Sequence, residues 1–151
     1  AALYGIKGEV PDGEHTLPFG RASVVRQGRD VTIVSYSRML YLALSAAERL
    51  VHDGIDCEVV DLRTLRPLDM DTVAASVRKT HRAVVVQEQW RLFGAAAEIT
   101  AQIYERCFDD LDAPVERVTG EDVPAPYARN LELRAFPNED RIIDAVRRVA
   151  G

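Results

Sequence analysis

Four short apolar runs recur along the chain: VTIVSY at 31–36, CEVVDL at 57–62, AVVVQE at 83–88 and VERVTG at 115–120. They are rich in β-branched residues, and the first three show little alternation with polar ones. The pattern predicts strands buried on both faces. Between them the apolar positions fall at helical spacing. Met39, Ala43, Ala46, Ala47, Leu50 and Val51 predict a helix over 39–52, which Gly54 closes from just beyond its end. Val73, Ala74 and Val77 predict a second helix ending at about Thr80 and capped by Asp69 or Asp71. A third, over 94–108, carries Ala96, Ile99, Ile103 and Cys107 on one stripe. A fourth, over about 138–149, turns Ile142, Ala145, Val146 and Val149 inward. The stretch EDVPAPYARN at 121–130 reads as a loop.

Strands alternating with helices predict an α/β three-layer sandwich with a mostly parallel five-stranded sheet and right-handed crossovers. The weaker run ASVVR at 22–26 is joined to the next strand by only Gln27-Gly28-Arg29-Asp30. So short a link predicts a hairpin, with this run as the one antiparallel edge strand. The opening AALYGIKGEVPDGEHTLPFG, with four glycines, two prolines and no periodicity, reads as an extended connector. The expected division is therefore a connector at 1–20, implying a longer chain upstream, and a folded domain at 21–151.

A length of 151 residues suits a single core, and 47% hydrophobic with 28% charged residues is an ordinary globular composition. The net charge of -5 argues against nucleic acid as a partner, because phosphate neutralisation needs a surplus of cations. No run approaches the ~18 to 20 apolar residues of a membrane span. No signal-peptide pattern opens the sequence either, so a soluble, cytoplasmic chain is expected. Cys57 and Cys107 stand 50 positions apart in an apolar strand and a helix, and read as reduced, buried thiols.

Candidate chemistry is sparse. His15, His52 and His81 share no ligand spacing with one another or with a Cys or carboxylate cluster. His52 and His81 instead suit helix C-termini, where the backbone favours a cation. No G-x-S-x-G elbow surrounds Ser35, Ser37 or Ser45, and there is no Walker loop. WRLFGAAAE at 90–98 sits between a strand and a helix, but holds only Gly94 where a diphosphate cradle needs several glycines. In DLRTLRPLD at 61–69, Arg63 and Arg66 could hold an anion or brace the strand-to-helix turn, and the second reading needs no further basic cluster. Asp109, Asp110, Asp112 and Glu116 gather around the end of the third helix, where carboxylates oppose the dipole; a solvated loop or a basic partner would account for them.

VTIVSYSRML, GIDCEVVDLRTLRPLDMDTVAASVRKTHRAVVVQE and APVERVTGEDVPAPYARNLE together resemble the C-terminal domain of the transketolase superfamily. More narrowly they are similar to the beta subunit of the thiamine-diphosphate-dependent first component of 2-oxo acid dehydrogenase complexes (pyruvate, branched-chain 2-oxo acid, acetoin). LYGIKGEVPDGEHTLPFGRA matches the connector leaving that subunit's N-terminal, pyrimidine-binding domain. The resemblance implies that the catalytic glutamate lies in that preceding domain, and that the alpha subunit holds the diphosphate and its Mg²⁺. No catalytic, cofactor-binding or metal-binding residue is then expected in this chain. Implied partners are the alpha subunit, a second beta subunit, and the peripheral subunit-binding domain of a dihydrolipoyl acyltransferase. The last would dock at Asp109, Asp110, Asp112 and Glu116, with Arg63 and Arg66 at the turn or a subunit interface. One departure stands out: relatives carry a glycine-rich stretch resembling G-G-F-G where this chain has Phe93-Gly94-Ala95-Ala96. Rival readings are the C-terminal domain of another transketolase-type enzyme, such as transketolase or deoxyxylulose phosphate synthase, and a free-standing module binding an anion at Arg63 and Arg66.

Overall fold

The computed structural model describes residues 7–9 and 12–151, so the first part of the predicted connector lies outside the described residues. Five strands, β1 (Ser23–Arg26), β2 (Val31–Ser35), β3 (Cys57–Asp61), β4 (Ala83–Trp90) and β5 (Glu116–Gly120), form one sheet in the order β1-β3-β2-β4-β5. Every pairing is parallel except that of β1 with β3. The helices are α1 (Arg38–Leu50), α2 (Met70–Thr80), α3 (Ala95–Cys107), α4 (Arg129–Ala135) and α5 (Glu139–Ala150).

Alternate residues of each strand feed two separate cores. Val31 and Ile33 of β2, with Val59, Val84 and Val86, pack on α1 and α5 through Ala43, Ala47, Leu50, Ile142 and Val146. Val34, Val60 and Val85 face the other way, onto α2 and α3 through Val73, Val77, Ile99, Ile103 and Cys107. Double-sided burial explains why the strands read as continuous apolar runs. The polar exceptions are satisfied. Thr32 lies 2.7 Å from the hydroxyls of both Ser76 and Thr80, and the Glu58 carboxylate, 1% exposed, takes the Ser76 hydroxyl at 2.6 Å and pairs with Lys79. Both cysteines are free and buried. Burial pushes the Cys57 thiol up to about 12 and the Cys107 thiol upward as well.

Two expectations need correction. The first strand is antiparallel and at an edge, but it forms no hairpin with β2. Both sides of β2 are taken, by β3 and β4, so β1 lies along the far side of β3. The link at 27–30 crosses the start of β3, where the Arg29 and Asp30 amides donate to the Asp56 carbonyl at 3.0 and 2.9 Å. Gly28 permits that crossing, since a Cβ there would stand 2.5 Å from the Cys57 carbonyl oxygen. The second correction is α4, which begins inside the stretch read as a loop. It has no side-chain cap and, among its residues, buries only Ala135, so neither start signal nor apolar stripe announces it.

Among the described residues, no helix is long and apolar enough to cross a membrane.

Candidate functional site

The turn at 61–69 is built from its acids and its threonine. Leu62 is buried, and its amide bonds the Ser35 carbonyl at 2.9 Å, fixing where the chain leaves β3. Asp61 then accepts the Arg63 amide at 3.1 Å, with Arg63 at φ 56. Thr64 donates to the Pro67 carbonyl at 2.8 Å and accepts the Gly20 amide at 3.1 Å. Asp69 caps α2 through the Thr72 amide at 3.1 Å and hydroxyl at 2.8 Å, and also takes the Ala22 amide at 3.0 Å. Burial alone would raise its carboxyl. The bonds from Thr72 and Ala22 outweigh that and hold it below the usual carboxylate range. The side chains of Arg63 and Arg66 take no part in these bonds. Both side chains are exposed, and neither guanidinium has a hydrogen-bond or ion-pair partner among the described residues.

The four acids do not form one open patch. Asp110 pairs with Arg78 at 3.3 Å, Asp112 with Arg82 at 3.6 Å and Glu116 with Arg148 at 3.3 Å. Of these four, Asp109 alone has no ion-pair partner among the described residues. The Asp110 carbonyl accepts a bond from Nδ1 of His81 at 2.8 Å, which ties the turn after α3 to the left-handed cap of α2. Beside Asp112, exposed Phe108 rims a shallow groove with Tyr104, Leu111 and Pro114.

The most distinctive surface lies elsewhere, at the carboxyl ends of the parallel strands. In the order β3-β2-β4-β5, the chain runs from β2 to one side and then returns to the other. The crevice beyond β2 and β4 is therefore the topological switch point, the usual ligand position in open α/β sheets. It contains Tyr36, Ser37 at φ 56, and Arg38 paired with Glu88 at 3.0 Å. The Tyr36 hydroxyl is buried with no partner among the described residues. Its pKa is raised by burial first and by the Glu88 charge second.

Next to it a broad apolar groove of about 730 Å³ opens among Trp90, Leu92, Phe93, Ala125 and Phe136. Gln87, fully buried, pins the loop that borders it: its Nε2 donates to the Trp90 carbonyl at 2.8 Å and its Oε1 accepts the Ala96 amide at 2.7 Å. The loop so pinned holds Phe93 at φ 55 and 96% exposed. Trp90 donates through its indole to the Val123 carbonyl at 3.1 Å, tying this loop to the one carrying Tyr127. Val123, tied to this loop by that bond, is exposed too, as are Tyr127, Leu131 and Leu133 further along the chain. A surface of this kind marks a binding face. The sequence reading overlooked it; the aromatics in WRLFG, flanking a strand end, were the available signal.

The same loop does not suit a diphosphate. Gly94 is packed against Gln87 and the Trp90 carbonyl, and Ala96 is in the core, so no cradle of free amides is left. Among the described residues no three His, Cys, Asp or Glu side chains stand together as metal ligands. The loop at Gly94 therefore offers no diphosphate cradle.

A 2-1-3-4 parallel sheet with helices on both faces and an antiparallel outer strand defines an α/β domain of the doubly wound kind. Residues 20–142 match the family model described as transketolase, C-terminal domain. The chain belongs to that family. It is 50% identical over 147 residues to the pyruvate dehydrogenase E1 component subunit beta of Rickettsia felis, covering 97% of this chain and 45% of the relative. It is likewise 50% identical over 150 residues to the mitochondrial subunit beta-1 of Arabidopsis thaliana, covering 97% and 41%. The chain thus spans less than half the length of these relatives. Among solved structures, a split-gene transketolase, an inactive beta4 tetramer, superposes with a TM-score of 0.75 at 28% identity, covering 95% of this chain and 45% of that one. A 2-oxoglutarate:ferredoxin oxidoreductase from Magnetococcus marinus, at 13% identity and a TM-score of 0.55, shares the fold alone.

Proposed function

We propose that this chain is the C-terminal domain of the beta subunit of a pyruvate dehydrogenase first component, and that it serves assembly rather than chemistry. The complete enzyme would decarboxylate a 2-oxo acid on thiamine diphosphate and pass the acyl group to a lipoyl arm. The cofactor and Mg²⁺ would be held by the preceding domain and the alpha subunit. The observation that carries this reading is the exposed apolar face around Phe93 and Tyr127, on a chain half identical to beta subunits of that enzyme. Burying large aromatics against a neighbour is the main favourable contribution to a stable subunit contact.

In this reading the aromatic face packs against the alpha subunit or a second beta subunit. The connector at 1–20 leads from the pyrimidine-binding domain and is fastened at its end by the turn at 61–69. Arg63 and Arg66, with no partner of their own among the described residues, are free to meet carboxylates of a neighbouring subunit. Asp112 lines the Phe108 groove, and with Asp109, Asp110 and Glu116 near it in the chain it would offer an acidic edge to a basic acyltransferase binding domain.

The test uses the full-length beta subunit co-expressed with its alpha subunit. Light scattering should report a heterotetramer for the natural sequence and smaller species for Phe93→Asp combined with Tyr127→Asp. An intact heterotetramer in that double variant refutes the assembly face. Capture by the acyltransferase is a separate arm: Asp110→Lys with Asp112→Lys should weaken it, and unchanged capture discards the docking edge alone.

A further inference from the structure

An open sheet has two edges, and here β1 and β5 form them. Each edge presents a row of free backbone groups that can template pairing with another strand. The β1 edge is a poor template. It is four residues long, and its register breaks between Val24 and Arg26, which twists the strand out of line. The β5 edge is more regular. Glu116, Arg117 and Val118 pair in unbroken parallel register with Val84, Val85 and Val86 of β4. The other side of that strand faces no strand of the sheet.

Two arginines from outside the strand reach it instead. Nη1 of Arg91, in the loop after β4, donates to the Arg117 carbonyl at 3.2 Å. Nη2 of Arg141, on α5, donates to the Thr119 carbonyl at 2.9 Å. Along a strand the carbonyls alternate between its two sides, so residues two apart bond in the same direction. The Arg91 bond lies in solvent, which places both carbonyls on the side away from β4. Neighbouring strands lie about 4.8 Å apart, so both guanidinium groups stand in the lane that a further strand would occupy. Glu121 fixes Arg141 there by an ion pair at 2.9 Å.

We propose that Arg91 and Arg141 are covers for the β5 edge, which keep a second copy of this chain from adding its own β5 there. A two-fold axis would set two such edges antiparallel and join the two sheets into one. A second copy is the excluded partner because it brings a strand of the same length with the same regular spacing. With the covers in place, pairing has to break two charge-assisted bonds in each copy before it forms any of its own. Neither arginine lines the apolar groove at the end of the sheet, so this inference stands apart from the assembly reading.

Sedimentation velocity on the full-length protein over a wide range of concentration tests it. Arg91→Ser combined with Arg141→Ser should exceed the mass of the natural sequence, increasingly so as concentration rises. Adding Arg117→Pro should restore the natural mass, because proline removes an outward amide that the pairing needs and spares the bonds to β4. Hydrogen exchange gives a second readout: in the concentrated double variant the amides of Arg117 and Thr119 should slow by about tenfold or more. Arg91 makes no other polar contact among the described residues, so Arg91→Ser alone should fold normally. It should associate about tenfold more weakly than the double variant, since one cover remains. An unchanged mass in a folded double variant, or association that survives Arg117→Pro, would overturn the proposal. Should the double variant fail to fold, an unchanged mass in Arg91→Ser would do the same.

Discussion

Gln87 closes over Gly94 so tightly that the glycine has no room for a side chain. A Cβ at position 94 would stand 2.5 Å from the Trp90 carbonyl oxygen and closer still to the amide nitrogen of Gln87. Gly94→Ala must therefore push the Gln87 amide off the two backbone groups it bridges. Overpacking of this kind costs about 1–3 kcal/mol. Urea unfolding should show that loss, and Gln87→Ser, which shortens the colliding side chain, should make the alanine at 94 less damaging than it is alone. Strict additivity of the two changes would show that the pair is not coupled.

Phe93 sits in left-handed backbone with its ring in solvent, a conformation that costs an ordinary residue about 1 kcal/mol or more. Phe93→Gly should leave the domain as stable as before, or up to about 1 kcal/mol more so. On the proposed assembly role, the same substitution in the full-length subunit should weaken association with the alpha subunit or the second beta subunit. Improved folding together with poorer assembly is the signature of a side chain kept for contact. A matched loss of both would make Phe93 a structural residue.

Asp69 governs part of the acid response. Its folded carboxyl lies below the reference value of 3.8 for the unfolded chain. Its stabilising contribution is therefore complete above that value and is lost as pH falls through the lower folded one. Stability measured by urea unfolding from about pH 5 down to 2 should fall less steeply in Asp69→Asn than in the natural sequence. Asp69→Ala should cost about 1 kcal/mol at neutral pH through loss of the cap. An identical acid slope in natural protein and Asp69→Asn would contradict the assignment.

Cys57, with its thiol at about 12, is nearly all protonated at neutral pH and shielded by the sheet. Cys107 shares that burial. Iodoacetamide should modify neither in the folded protein, and labelling should rise only with denaturant, tracking global unfolding. Fast modification of either thiol under native conditions would show an opening of the core on that side of the sheet.

The elements dominated by local chemistry were legible in the sequence. Val31, Ile33 and Val34 mark β2 because a doubly covered strand has no polar face, and Asp69 marks α2 because it is the right residue three positions before a free amide at Thr72. Relations that depend on the whole sheet were not. The link at 27–30 suits a hairpin locally, and only occupancy of both sides of β2 by β3 and β4 sends β1 elsewhere. The role of Arg63 and Arg66 was not legible locally, because the bonds that hold their turn come from Asp61, Thr64 and Asp69. The aromatic face escaped notice for a related reason. Trp90 and Tyr127 are 37 positions apart, and the indole bond to Val123 brings their loops together only after folding.

Thr64 and Asp69 also have a mechanical role. They grip the backbone at Gly20 and Ala22, and one of them is the cap of α2. Tension applied through the amino-terminal segment is therefore delivered to the first turn of that helix and onward into the layer it shares with α3. A swivel located upstream of Gly20 would move against a clamped base, so motion there can be transmitted to the body of the domain instead of being absorbed by slack.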